Sequence, residues 1–326
     1  MCKPKDEYIE VCEVIKKTKP NENDDRSEGC KMYIKTKREG KSLEIQSDFS
    51  VNYPSNDIIS AEAYRLKYHI YHEVQSLRTN NNVLLSTYAG NSPENSDIEN
   101  LLFYNIGTGA FSKVFQSSKK KQVAFKMDST SQENQSSHKY KYEVVPSEVV
   151  EALGRKTLIA KWNVTIGSTL PKQAEEYYLA LRTAIRNSRV ESQNKDEPDE
   201  NEVMLCGLER CDETAFGIKI TLTVPESNKT THPVSVMKHL LDGVICAFHG
   251  EKGETAQMLQ EKFEGEKVTC QTDWHILGDQ DYLRKYRNGF KWYPADEADR
   301  LQFGWIVVEQ SKDNKYKMSG EIYKWD

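Results

Sequence analysis

The chain has 326 residues, of which 37% are apolar and 29% charged, and its formal net charge is −5. That length accommodates two ordinary domains with cores of their own, and the acidic balance excludes a uniform polyanion-binding coat, so any nucleic-acid contact must come from a local patch. The N-terminus is charged and no apolar run approaches the ~18 residues of a membrane span, while seven cysteines, an odd number without a CxxC pair, fit neither a disulfide framework nor a zinc ribbon; the expectation is a soluble cytoplasmic protein with no membrane contact.

In chain order, residues 8–15 form a short apolar run that reads as a strand, and 18–29 a polar loop. Cys30–Thr36 and Ser42–Val51 alternate around Glu39-Gly40-Lys41, which predicts a hairpin. Ser60–Leu77 places Ala63, Leu66, Ile70, Val74 and Leu77 at helical spacing, and Asn80-Asn81-Asn82 ends the pattern. Val83–Tyr88 is a strand. After a turn-rich loop, Ser96-Asp97-Ile98-Glu99-Asn100 leads into a helix expected over Leu101–Ile106. Phe111–Gln116 and Gln122–Met127 flank a run of three lysines and predict a hairpin with a basic tip. A polar linker over 128–137 and a strand over Tyr140–Val145 close the first half.

The order of elements then starts again. Lys156–Ile166 is a strand, and Thr169-Leu170-Pro171 opens a helix whose buried face carries Ala174, Tyr178, Leu181 and Ile185. Residues 186–202 hold six acids against three bases and read as a flexible acidic loop, centred on about 187–202. Phe216–Val224 alternates without a break. Val234–Phe248 is a helix with a wide apolar stripe, on whose polar side Lys238 and Asp242 stand four apart and can pair. A short helix over 256–263, a strand over 268–277, a hairpin at 282–293 with an Asn-Gly turn, and closing strands at 301–309 and 318–325 complete the chain. The fold class is therefore α/β (α+β), with two similar lobes, 1–145 and 146–326, each holding a small mixed sheet and two main helices. That order suggests a tandem duplication.

This element order resembles that of the RusA-like Holliday-junction resolvases. In that family an Asp-x-Asp-Asn motif follows the second strand, a lysine comes one turn later, and a further Asp completes a magnesium-binding set for phosphodiester cleavage. Asp97-Ile98-Glu99-Asn100 resembles the motif, while the family's lysine position falls on Phe103. Lys238-His239-Leu240-Leu241-Asp242 resembles the family's later Lys-x-x-x-Asp segment, while the acids before it fall on His232 and Val234. The resemblance implies a fused pseudo-dimer with at least one dead site, that is, a non-catalytic or degenerate subunit (a pseudoenzyme) of a bacterial mobile-element or defence system that associates with DNA or RNA.

Three functions stay open on the residues themselves. The first is nucleic-acid binding through the 282–293 hairpin, where Arg284, Lys285, Arg287 and Lys291 interleave with Tyr286, Phe290 and Trp292 and no acid intervenes. The same aromatics also suit cross-strand packing. The second is a protein-interaction component that joins other subunits and has no nucleic-acid role. The third is a magnesium nuclease using Asp97 and Glu99 as catalytic and metal-binding residues, with Lys238 and Asp242 as further catalytic candidates. Without that activity no cofactor is expected. The same stretch also suits a helix start, with Ser96 or Asp97 at the N-cap and acids favoured in the first turn by the helix dipole.

Overall fold

The computed structural model describes residues 33–51, 61–90, 97–116, 118–128, 137–153, 157–188, 197–206, 215–251, 276–277, 279–280, 283–286, 289–292 and 300–325. The sequence expectations at 8–15, 18–29, 256–263 and 268–275, and most of the linker at 128–137, lie outside them.

Strands β1 (Ile34–Glu39) and β2 (Ser42–Ser47) form the predicted hairpin and lead into helix α1 (Ala61–Val74). Strand β3 (Val83–Ala89) is followed by the acid motif, then β4 (Lys120–Met127) and β5 (His138–Val145), after which comes the short helix α2 (Ser147–Leu153). The second half runs β6 (Leu158–Gly167), α3 (Ala174–Asn187), β7 (Glu202–Leu205), β8 (Phe216–Pro225) and α4 (Pro233–Ala247). The two-residue strands β9 (Gly250–Glu251) and β10 (Asp279–Gln280) pair with each other, and β11 (Leu283–Tyr286) pairs with β12 (Gly289–Trp292). Strands β13 (Leu301–Ser311) and β14 (Tyr316–Lys324) end the fold.

Ten of these strands make one mixed sheet, in the order β1-β2-β5-β3-β4-β13-β8-β14-β6-β7. Its centre is the antiparallel pair β4–β13. Reading outward on either side, the senses run identically. β4 is parallel to β3, as β13 is to β8; β3 is antiparallel to β5, as β8 is to β14; and β5 is antiparallel to β2, as β14 is to β6. All strands outside one side of that central pair come from the first half of the chain and all on the other side from the second, so the halves meet as one continuous sheet.

Period-2 alternation sorts the strand side chains between two faces. Leu84, Tyr88, Val123, Phe125, Ile306 and Val308 point into the main core, under α1, α3 and α4, while Val83, Leu85, Ala124, Trp305 and Val307 form a smaller cluster beneath Val150 of α2. Helix α1 follows its stripe: Ala63, Leu66, Ile70 and Val74 are all buried. Helix α3 begins at Ala174, three residues beyond the predicted Pro171, because Gln173 and Glu176 form a reciprocal capping box there.

Two local expectations fail. Residues 111–116 form no hairpin strand. They belong to 3₁₀ and turn structure that follows a single π-helical turn, Asn100–Tyr104, so the predicted regular helix over 101–106 is also absent. Strand β4 takes its partners from Val83–Tyr88 and from Phe303–Glu309 instead of from its neighbour in sequence. The basic tip goes with the hairpin: Lys121, last of the three lysines, is 5% exposed inside β4.

Candidate functional site

The acid motif sits at the seam between the halves, where the π-helical turn packs against α4. Lys238, on α4, reaches across. Its Nζ lies 3.3 Å from Asp97 Oδ2, 3.8 Å from Glu99 Oε1 and 3.6 Å from Asp242 Oδ1. All four candidate residues that the sequence offered as two separate motifs therefore form one cluster. The i,i+4 pair of Lys238 and Asp242 is present as predicted, and α4's helical register aims both side chains at the π turn. Asp97 and Glu99 are two apart, which on a regular helix would separate them; the irregular start of this segment lets both face the same ammonium.

Asp97 stands at the start of the helical segment, where its carbonyl oxygen accepts the Leu101 N–H at 3.1 Å, and its carboxylate is turned to other partners: Oδ2 accepts Asn100 Nδ2 at 2.7 Å as well as the Lys238 ammonium. Glu99 is 4% exposed. Burial, reinforced by the neighbouring Asp97 charge and opposed by Lys238, holds its carboxyl well above the usual carboxylate range, so it keeps a proton into conditions where an ordinary glutamate is ionised. For Lys238 burial alone would disfavour the charge, but Asp242, Glu99 and Asp97 outweigh it and hold the ammonium above its ordinary value. The cluster is thus a fixed cation ringed by three carboxyl groups, of which the buried Glu99 is the hardest to ionise.

Magnesium does not fit this arrangement. Among the described residues no group of three or more His, Cys, Asp or Glu side chains is arranged to hold a metal ion. The point from which Asp97, Glu99 and Asp242 are all within reach is taken by Lys238 Nζ. His232, one of the two positions on which the resemblance placed missing acids, is buried and stacks on Phe115 with ring centroids 5.9 Å apart, and burial followed by the Lys121 charge lowers its imidazole to about 4.

The nucleic-acid candidates lie in a two-stranded sheet of their own, outside the ten-stranded sheet. Arg284, Lys285 and Tyr286 lie on β11 and Phe290, Lys291 and Trp292 on β12, with Arg284 opposite Lys291 and Lys285 opposite Phe290; Arg287 lies outside the described residues. On α1, His69 Nε2 is 2.6 Å from Thr36 Oγ1 and His72 packs on Tyr68. Part of the acidic loop is tied down, with Glu197 on Lys161 and Glu200 on Lys317.

Sequence reasoning missed Lys121. Its Nζ donates to the carbonyl oxygens of Lys229 and Thr231, at 2.6 and 2.7 Å, and so links β4 of the first half to the loop that opens α4. The signal was the apolar run Val123-Ala124-Phe125, one residue beyond the lysines, which puts Lys121 on the same strand face as Val123 and Phe125. No helix among the described residues is long and apolar enough to cross a membrane. No protein-family model, curated protein or solved structure matches the chain.

Proposed function

We propose that this chain is a nucleic-acid-associated protein of RusA-like type, built from two diverged tandem units, whose acid–lysine cluster joins the halves and does not cut phosphodiesters. The observation that carries the non-catalytic part is the position of Lys238 Nζ among Asp97, Glu99 and Asp242. Metal-assisted hydrolysis needs several ionised carboxylates free to converge on metals ~4 Å apart. Here the chain supplies its own cation, and burial disfavours ionisation of Glu99.

The tandem reading is supported by the pairing senses, which repeat outward from β4–β13 with a helix between corresponding strands on each side. Support for a nucleic-acid role comes from the pairing of β11 with β12, which places Arg284 beside Lys291 and Lys285 beside Phe290 in one short ribbon. Cations there would meet phosphates and aromatics would meet bases.

The test uses a labelled four-way DNA junction with the full chain, with and without Mg²⁺. The expected result is binding at low salt that weakens as salt rises, without cleavage, and a loss of affinity in the combined Arg284→Ala, Lys285→Ala variant. Cleavage that requires Mg²⁺ and disappears in Asp97→Ala would overturn the non-catalytic reading. Failure to bind any DNA or RNA at low salt would overturn the nucleic-acid reading and favour a protein-interaction component.

A further inference from the structure

Helix α1 carries an outer side unlike an ordinary solvated helix face. Between Glu62 and Glu73 its ten residues Ala63–His72 include Arg65, Lys67, His69 and His72, together with Tyr64, Tyr68 and Tyr71, and not one acid, in a chain with 50 acidic and 45 basic side chains. Arg65, Tyr68 and His72 are exposed, Tyr68 to 44%. The exposed Tyr68 and His72 rings have centroids 4.1 Å apart at an interplanar angle of 60°, and Tyr71, which packs against the core, supports His72 from behind with centroids 5.5 Å apart. The acid that closes the stretch, Glu73, is already held by Arg38, whose Nε lies 2.9 Å from its Oε2.

Lys67, in the same stretch, is 3% exposed although it sits at the margin of the core stripe. No acid pairs with it among the described residues. Burial lowers its ammonium to about 8, so at neutral pH it remains mostly charged.

We propose that this face of α1 binds single-stranded nucleic acid, with Tyr68 and its neighbouring rings stacking on unpaired bases while Arg65 meets the phosphate chain. Stacking needs the open face of a base, which a duplex does not offer, and the tilted rings present separate faces to successive bases instead of one flat platform. The charge fits a polyanion, since the stretch contributes only positive and neutral groups and the Lys67 ammonium adds to its field. The inference rests on the nucleic-acid reading above but uses a surface separate from the β11–β12 ribbon and from the Lys238 cluster.

Fluorescence anisotropy on the full chain at low salt, with labelled oligo-dT, oligo-rU, a duplex and a four-way junction, tests it. The wild type is expected to bind at least one of the single strands, and comparison of oligo-dT with oligo-rU tells DNA from RNA. Tyr68→Ala and Arg65→Ala should each weaken that binding by about five- to tenfold, with unchanged thermal midpoint and unchanged junction affinity. Tyr68→Phe, which keeps the ring, should bind as the wild type does. Single-strand affinity that is indifferent to Tyr68→Ala, or lost equally in Tyr68→Phe, would overturn the proposal. So would a protein that binds the junction but neither single strand, an outcome that leaves the broader reading standing. Failure to bind any of the four probes would remove both.

Discussion

Lys238 Nζ lies 3.3 Å from Asp97 Oδ2 across 141 positions of sequence. The ammonium comes from the long helix of the second half and the carboxylate from the irregular turn of the first, so one ion pair closes the seam beside the central β4–β13 strands.

Replacing Lys238 by methionine keeps most of the side-chain volume and removes the cation. Asp97, Glu99 and Asp242 are then left facing one another. Because the lysine side chain is 21% exposed, the loss should fall somewhat below that of a fully buried pair, on the order of 2 kcal/mol, read from urea unfolding. The same variant should gain a divalent-ion response: Mn²⁺ is expected to raise its thermal midpoint and to leave that of the wild type unchanged. Equal responses would show that Lys238 does not stand in for a cation.

Glu99 should imprint a pH dependence on stability. Its folded pKa is raised above the unfolded value near 4.5, so the native state binds the proton more tightly. That contribution is fully present below about 4.5 and is lost as pH rises through the folded value. Asp97, Asp242 and the Lys238 ammonium face it, and the lysine stays charged across this window. Glu99→Gln should flatten the decline and leave the variant relatively more stable at the alkaline end. Unfolding free energies measured along a pH series for both proteins check this; parallel curves would contradict it.

Gly243 on α4 sits where the helix meets α3. A Cβ there would run into the Ala174 carbonyl oxygen and the Cβ of Tyr177, both close to backbone and unable to swing aside. Gly243→Ala should therefore cost about 1–3 kcal/mol through displacement of the two helices. Since Asp242 is the adjacent residue, the variant should also weaken the Lys238 contact, visible as a reduced additional loss when Lys238→Met is combined with it.

Lys121→Met removes the ammonium that satisfies two carbonyl oxygens, those of Lys229 and Thr231. Leaving buried acceptors unpaired costs roughly 1–3 kcal/mol each at most. The expected loss is about 2 kcal/mol, accompanied by faster hydrogen exchange at the start of α4 (measured by mass spectrometry). An unchanged exchange pattern would show that the tether is dispensable.

Much of the secondary structure was legible because it follows local periodicity. Phe216, Ile218, Ile220, Leu222 and Val224 alternate and all point into one core, and Ala63 to Val74 on α1 repeat at helical spacing and are all buried. The failure at 111–127 has a physical cause. Phe111, Val114 and Phe115 are apolar because the turn they occupy packs against the core, and β4 is completed by strands some forty residues before it and some 180 after it, in one case parallel. A strand's own residues do not encode which distant edge it will join.

The acid pair and the Lys-x-x-x-Asp segment were each visible as short motifs, and the local chemistry of residue types was enough to single them out. Their meeting was not visible, and neither was the raised proton affinity of Glu99, which needs burial in the folded chain. Composition and period decided the α/β class, the core-facing residues of each long element and the candidate polar groups, because those depend on neighbours three or four positions away. Sheet order, the seam between the halves and the placement of Lys238 in the carboxyl ring were decided only by the folded chain, because they depend on contacts between segments more than a hundred residues apart.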